Sequence, residues 1–515
     1  MFNYIVNEAK MSFSVVKASL NQFCKDDYLK SKLNDIVVNA NKIMFEAYCF
    51  ANMHVIKCLD EGKKIPKLNQ AFFQSCCAIV SLTYDRKERE QKNKDLMTTF
   101  EIYKQCRPEG YAVAYRDNIT IVLNYIAIEM ATSTTNHLTL NFYKRFSKFL
   151  KSKFPTTTPS YRYEVCKGVY EKIYEGDDAL VLEYRKKLDD KPPYENNIKS
   201  DPSFVLSVYK EILNYRQENN EKVFSLLPHK GGFQLSYITV DRAVLRDIII
   251  GEKLVRTNDM KGQKLRDDIN TNPRVYWEQF FNIEDYETTT RTFDMFKTDG
   301  KSVSIVLNVP EREEEVNPKK GVKKKQECFT CNLQKGDNVI GIDPGLRYTF
   351  VGYNNNDEIV KCSGKHYYHQ SGVNTKNFKQ RRCYKRNQQF MDYKANMPSP
   401  KTDDIKELCA YVTYALKGID NAFEVHYKNP FRKWRFKTFI QKQKTFNEIC
   451  KSITKKSHIN DMSMQSYVGF GNWSNPNDSI IKGHKRGPVL EIKKTLKKWC
   501  KVVDVDEFRT SKLCC

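Results

Sequence analysis

The sequence predicts a mainly helical N-terminal half with a small β module, followed by a mixed α/β domain. Three observations predict this fold class. Apolar residues recur at helical spacing from Leu29 onward, the period becomes that of strands near Met295, and short strands separated by basic helical segments follow Asn338. We therefore expect a helical lobe followed in the sequence by an α/β domain.

The N-terminal half begins with a predicted strand. Residues 11–20 (MSFSVVKASL) alternate apolar and polar side chains, as a half-buried strand does. An amphipathic helix is predicted to begin near Asp27, and helical patterns continue to about Tyr215. The turn-rich segments KFPTTTPS (153–160) and DDKPPYENN (189–197) interrupt them and predict loops.

A β-hairpin and a charged segment end the N-terminal half. In MFKTDGKSVSIVLNV (295–309), strand residues flank Asp299-Gly300, which predicts a two-residue turn. The next segment, EREEEVNPKKGVKKKQE (311–327), is too polar to bury and predicts a linker. Its lysines are consistent with a nuclear-import signal or with a solvated charged segment.

The order of the elements after this linker indicates a fold. Three short strands (VIGID, YTFVGYN and EIVKCSG) precede basic helical segments, a fourth strand (SYVGFG), a helix (GPVLEIKKTLKKWC) and a fifth strand (KVVDVDEF). This is the order of an RNase H-like fold, in which the first strand is central. A carboxylate at the end of that strand can bind a divalent metal for attack on a phosphodiester.

Asp343 is that carboxylate, and Pro344-Gly345 turns the chain away from it. Two other interpretations apply to the motif. Asp343 could simply begin an Asp-Pro-Gly turn. The GIDPG stretch also resembles the phosphate loop of actin-like ATPases, but no second phosphate loop matches. We therefore favour a metal ligand.

Charge indicates the class of partner. The formal net charge is +24, and 32 Lys and Arg stand against 13 Asp and Glu between Lys361 and Cys515. The C-terminal third thus carries 19 of the 24 net charges, which predicts nucleic acid as the partner, although a solvated basic surface is the alternative.

Cysteine content and hydropathy indicate the cellular compartment of the protein. The 16 Cys are scattered through predicted helices and strands, so we expect reduced core residues. No segment resembles a signal peptide or a membrane span. We expect an intracellular, soluble protein, either nuclear or a viral protein acting in the host cell, with no membrane partner and no small-molecule substrate.

Several motifs together resemble the Fanzor family, the eukaryotic and viral relatives of the TnpB nucleases. They are TDGKSVS (298–304), GIDPGLR (341–347), FRKWRFKTFIQKQK (431–444), GFGNW (469–473) and DEFRTSKLCC (506–515). The resemblance covers roughly 290–515 and implies an RNA-guided, magnesium-dependent DNA endonuclease, with guide RNA and target DNA as partners.

The resemblance also implies a domain organisation. The implied domains are the first part of a β-barrel wedge domain (1–28), a mainly helical recognition lobe (29–270), the remaining wedge strands (271–309), the charged linker (310–337) and a RuvC-type nuclease domain (338–515).

The resemblance assigns only some of the family's catalytic and zinc-binding residues to this sequence. Asp343 matches the family's first acid, and Glu507 on the fifth strand matches its second, with Asp504 and Asp506 as alternatives. Cys514 matches the first ligand of a Cys-x-x-Cys zinc ribbon, so zinc is implied only if a ribbon continues beyond Cys515. The third acid is missing as well, and we expect an incomplete nuclease domain. Cys328 and Cys331 lie outside the family's zinc position and are interpreted as incidental.

Basic helical segments complete the predicted site. Lys433, Lys437, Lys444 and Lys451 share one stripe of a helix, and Phe439, Phe446, Ile449 and Ile453 share another. A second basic cluster surrounds Tyr384, which could stack on a base. The predicted nucleic-acid-binding residues are Arg381, Arg382, Lys385, Arg386, Arg432, Lys433, Arg435, Lys437, Lys444, Lys485 and Arg486.

Two hypotheses therefore stand. The first is an RNA-guided, two-metal magnesium endonuclease that uses Asp343, Glu507 and a basic channel, with cleavage impaired by the missing third acid. The second is a catalytically inactive RNA- or DNA-binding remnant with the same fold.

Overall fold

The computed structural model describes residues 11–81, 94–111, 119–230, 232–255, 262–310, 336–345, 347–461, 465–471 and 487–505. The chain divides into two compact units. The first contains Met1–Glu311 and Asn387–Pro430, and the second contains Arg312–Arg386 and Phe431–Cys515.

Most of the first unit is helical. Its helices before residue 281 are α1 (Leu20–Phe23), α2 (Asp27–Asp60), α3 (Gln70–Ser81), α4 (Lys94–Gln105), α5 (Thr120–Lys153), α6 (Pro159–Tyr170), α7 (Ala179–Lys187), α8 (Glu195–Ser200), α9 (Ser203–Glu218), α10 (Arg242–Gly251), α11 (Gln263–Thr271) and α12 (Pro273–Phe280). Helix α2 begins at Asp27, as predicted, because the Asp26 carboxylate accepts a hydrogen bond from the Leu29 amide at 2.6 Å. The predicted loop at 153–160 is also confirmed, because α5 ends and α6 begins there.

The first unit also contains a four-stranded antiparallel sheet. Its strands are β1 (Met11–Ser19), β2 (Ile238–Val240), β3 (Thr292–Thr298) and β4 (Ser302–Pro310), in the order β1-β4-β3-β2. The predicted hairpin joins β3 and β4, but three residues connect the strands instead of two. The Asp299 carboxylate accepts from the amides of Lys301 and Ser302 at 3.0 and 2.8 Å, and Gly300 adopts φ of 81°.

Residues 387–430 cluster with the first unit, whereas the sequence placed them inside a continuous domain at 338–515. They form α15 (Gln388–Ala395) and α16 (Ile405–Lys428). The rings of Phe423 and Tyr393 lie 5.8 and 6.0 Å from the ring of Phe233. These apolar contacts with residues distant in sequence explain the difference.

The second unit is built on a five-stranded mixed sheet. Its strands are β5 (Asn338–Asp343), β6 (Tyr348–Asn354), β7 (Ile359–Ser363), β8 (Ser466–Gly471) and β9 (Lys501–Val505). Their order is β7-β6-β5-β8-β9. Strand β6 is antiparallel to β5 and β7, whereas β8 is parallel to β5 and β9. The predicted central position of the first strand is confirmed.

Helices cover one face of this sheet. They are α13 (Gly364–Gln370), α17 (Phe431–Thr454) and α18 (Val489–Leu496), which all contribute to the core, whereas α14 (Val373–Arg386) packs on α13 and α17. Ile342 and Phe470 of the sheet pack in one cluster with Ile449 of α17 and Ile492 of α18. The alternating side chains of β5 and β8 therefore bury one face of the sheet.

Two further predictions concern cysteines and hydropathy. The cysteines in the described ranges are free thiols, and most of them are buried, as expected for reduced core residues. Among the described helices, none is long and apolar enough to cross a membrane.

Candidate active site and nucleic-acid interface

Asp343 is the last residue of the central strand β5, and it pairs with Val351 of β6. The turn that follows is tight, because the Gly345 amide donates to the Thr349 carbonyl oxygen at 3.4 Å. A Cβ on Gly345 would lie 3.2 Å from the Tyr348 carbonyl oxygen, so this turn favours glycine. The prediction that Asp343 ends a strand at a sharp turn is confirmed.

The side chain of Asp343 lies on the sheet face opposite the helix-covered core. On this face Gly341 precedes Asp343 by two residues in β5, and it pairs with Gly469 of β8. A Cβ on Gly341 would meet nothing within 4 Å, and the neighbouring Tyr353 is 55% exposed. Gly341 therefore leaves space beside the exposed carboxylate, whereas a Cβ on Gly469 would lie 3.1 Å from Cγ2 of Val505.

The position of the second acid depends on β9. Strand β9 is two strands from β5, a separation of about 10 Å at about 4.8 Å per strand, as the sequence predicted. The register aligns Asp504 with Phe470 and Ile342, which belong to the core face. Lys493 of α18 forms an ion pair with Asp504 on that face. Asp504 is therefore on the wrong face to join Asp343.

The other residues predicted near the C-terminus lie outside the described residues. They are Glu507, Asp506, Cys514, Lys485 and Arg486. Cys328 and Cys331 of the Cys-x-x-Cys pair also lie outside them.

Asp343 alone does not complete a metal site. Its side chain has no hydrogen bond or ion pair with any residue that the structure describes, so its oxygens are available, and a carboxylate is a ligand that Mg²⁺ prefers. Within the described ranges, however, no group of three or more His, Cys, Asp and Glu could hold a metal ion. The residue fits as one ligand of a magnesium site that requires further ligands.

Two basic helices lie in the same unit. Helix α14 contains six Lys and Arg and no acid, and α17 contains seven Lys and Arg and one acid, Glu448. The exposed basic residues among the predicted ones are Arg381, Arg382, Lys385, Arg386, Lys433, Lys437 and Lys444. Lys451 is also exposed, Phe446, Ile449 and Ile453 are buried, and Phe439 is half-buried. The predicted division of α17 into a basic and an apolar stripe is therefore confirmed, with Phe439 at its margin.

Three residues that were predicted to contact nucleic acid are less accessible than expected. Arg432 is only 4% exposed, so its guanidinium does not belong to an open phosphate-binding surface. Arg435 is half-buried. The Tyr384 ring packs edge-on against Phe431 at 5.1 Å, and its hydroxyl accepts a hydrogen bond from Gln380 at 2.8 Å, so this ring is engaged within the protein and not presented for stacking on a base.

Sequence reasoning missed a cleft between α14 and α17. Lys376 and Lys379 of α14 and Trp434 of α17 line it, together with the predicted Lys437. The sequence feature that could have predicted this cleft is the tryptophan inside the basic segment FRKWRFK. The side chains of α14 that face it can be identified only from the packing of the two helices.

Comparisons with known proteins identify no family. No protein-family model matches the chain, and no curated protein matches it. Among solved structures, the chain is similar to a chain in the cryo-EM structure of the Cas12f1-sgRNA-target DNA complex, with 13% identity over 98% of this chain and 91% of that chain. The TM-score is 0.24, which is too low to support an argument about fold or function.

Proposed function

We propose that this protein is an RNA-guided, divalent-metal-dependent DNA endonuclease of the TnpB/Fanzor type, and that its second unit is a RuvC-type, RNase H-like nuclease domain. The observation that carries the proposal is the position of Asp343. It ends the central strand of a β7-β6-β5-β8-β9 sheet, on the face opposite the helices. The motif resemblance supports the finer assignment, with the first unit as recognition lobe and wedge.

In this proposal Asp343 and Glu507 hold Mg²⁺. The bound metal would polarise the phosphodiester and favour formation of the attacking hydroxide. The alternation of β9 supports Glu507 over Asp504, because odd-numbered Val503 and Val505 share the face of Asp343. The basic residues of α14 and α17 would bind the sugar-phosphate backbone and add affinity without reading sequence.

The first experiment asks whether the purified protein carries one defined RNA. Guide-dependent recognition predicts a dominant RNA species on sequencing, since base pairing, not the protein, selects the target. A random mixture of cellular RNA would exclude the guide-RNA part of the proposal.

The second experiment tests cleavage. The RNA-loaded protein is incubated with Mg²⁺ and a plasmid library that carries the complement of the RNA beside randomised flanking bases. Any cleavage should require Mg²⁺, so that EDTA abolishes it, and Asp343→Asn should reduce it at least about 100-fold. Asp504→Asn is the matched control, because it removes an acid from the same sheet but from the other face, and it should leave cleavage unchanged.

Two results would contradict the nuclease assignment. Cleavage that Asp343→Asn leaves intact would place the chemistry elsewhere. Guide-dependent DNA binding without cleavage would favour the inactive remnant, which is supported by the absence, within the described ranges, of a group of three or more His, Cys, Asp and Glu that could hold a metal ion.

A further inference from the structure

A cleft of about 330 Å³ lies between α14 and α17 of the second unit. This volume is at the lower end of the range of about 300–1,000 Å³ that is usual for small-ligand pockets. Its described lining combines one aromatic ring, that of Trp434, with lysine and uncharged polar side chains. It is large enough for one nucleobase and its sugar.

Trp434 provides an aromatic wall of this cleft. Its half-buried ring packs against the half-buried ring of Phe431, with the ring centroids 5.8 Å apart. Phe431 in turn packs against Tyr384 of α14. The indole is therefore held between the two helices while it still borders the cleft, and a preorganised aromatic ring loses little entropy when a base stacks on it.

The charge of the lining is positive. Lys376, Lys379 and Lys437 line the cleft, and no Asp or Glu is among its described lining residues. The Lys379 ammonium lies 6.0 Å from the centroid of Trp434, at the limit of a cation–π contact. Lys379 and Lys437 are exposed, so their ammonium groups can reach phosphates on either side of a bound base.

Polar groups complete the lining. Gln370, Thr375 and Gln441 carry hydrogen-bond donors and acceptors that can contact a base edge or a sugar hydroxyl. Aromatic stacking surrounded by lysines is the chemistry that single-stranded nucleic acids require, because an unpaired base exposes its ring face. A base inside a duplex is already stacked on its neighbours and does not offer that face.

We propose that this cleft binds one unpaired nucleotide of a single-stranded nucleic acid, with the base against Trp434 and the flanking phosphates near Lys379 and Lys437. The proposal deepens the proposed function, since it names a point at which a nuclease of this type holds an unpaired segment of its RNA or DNA. It does not depend on Asp343 or on cleavage.

The test measures binding of fluorescein-labelled U12 RNA, T12 DNA and a 12-base-pair duplex by fluorescence anisotropy, using the RNA-free full-length protein with EDTA. We expect Trp434→Leu to weaken single-strand binding about tenfold or more, which is the usual loss of one base–aromatic stack. Trp434→Phe keeps a ring and should retain most of the affinity. Duplex binding should change less than twofold in both variants.

The lysines are tested by the salt dependence of binding. Lys379→Gln and Lys437→Gln should each lower the slope of log K against log salt by about 0.7, the value for one phosphate of a single strand. Lys148→Gln is the matched control, because it removes an exposed lysine from α5 of the first unit. A slope that changes equally in all three variants would overturn the proposed phosphate contacts.

A spectroscopic measurement separates stacking from misfolding. The oligonucleotide should quench part of the tryptophan emission of the unchanged protein, and Trp434→Phe should remove that part while its circular dichroism stays the same. Unchanged quenching in Trp434→Phe, or equal affinity of the unchanged protein and a folded Trp434→Leu variant, would refute the inference.

Two further outcomes distinguish this inference from the proposed function. A preference for U12 over T12 identifies RNA as the occupant, and the reverse preference identifies DNA. The binding assay contains EDTA and does not require Asp343. Absence of guide-dependent cleavage by the unchanged protein, together with Trp434-dependent binding, would contradict only the nuclease assignment.

Discussion

Glu46 of the first unit and Asp343 of the second unit are carboxylates in opposite environments. Glu46 in α2 of the first unit is fully buried. It accepts hydrogen bonds from Arg107 at 2.8 Å, from Tyr111 at 2.9 Å and from Tyr103 at 3.1 Å. Asp343 in the second unit is exposed, and no described residue donates to its side chain. A carboxylate whose hydrogen bonds the protein satisfies stabilises the fold, whereas one left open can bind a ligand.

The largest expected effect tests this difference in stability. Glu46→Ala should lower the free energy of unfolding of the first unit by about 3–5 kcal/mol, because it leaves the Arg107 charge buried without its partner. Asp343→Ala should change stability by less than about 0.5 kcal/mol. Chemical denaturation followed by circular dichroism measures both values, and similar losses in the two variants would contradict the comparison.

The second prediction compares basic helical stripes. Changing Lys433, Lys437 and Lys444 of α17 together to Gln should lower the salt slope of nucleic-acid binding by up to about three units, since each lysine that contacts phosphate contributes about one. The matched variant changes the exposed Lys144, Lys148 and Lys151 of α5 in the first unit. Equal slopes in both triple variants would show that the position of the charge is unimportant.

A smaller effect is expected on the pH dependence of the stability of the first unit. Burial lowers the pKa of His54, His137 and His229 to about 4, whereas an unfolded histidine titrates near 6.5. Between these values the unfolded chain binds more protons, so stability is lost as the pH falls from 6.5 towards 4. We expect a loss of about 1–2 kcal/mol per histidine between pH 6.5 and pH 5.

Denaturation at several pH values measures this loss. His54→Gln should reduce the pH dependence, because one of the three titrating groups is then gone. Stability that is constant from pH 6.5 to pH 5 would exclude the effect.

The smallest expected effect lies in the second unit. The Lys493–Asp504 ion pair is partly exposed, with 56% of the aspartate side chain accessible, so Asp504→Asn should change the free energy of unfolding by less than about 1 kcal/mol. A thermal denaturation scan of the variant tests this. A loss as large as that of Glu46→Ala would mean that this pair, too, behaves as a buried one.

The sequence by itself determined many of the elements and the position of Asp343 at the end of a strand. Periodicity predicted the start of α2 at Asp27, the strands β5 to β9 and the two stripes of α17, because side-chain alternation follows from backbone geometry. Asp343 could be predicted because a lone carboxylate between an apolar strand and a Pro-Gly turn is a local pattern. Its neighbours on the sheet could not be predicted in the same way.

Only the tertiary structure decided which elements pack together. Residues 387–430 carry helical patterns like those around them, yet they join the first unit through Phe423 and Tyr393. Arg432 belongs to a basic segment but is buried, and Trp434 borders a cleft whose other wall is α14. Such features depend on contacts between residues far apart in sequence, and local periodicity specifies which face of an element is apolar but not the partner that covers it.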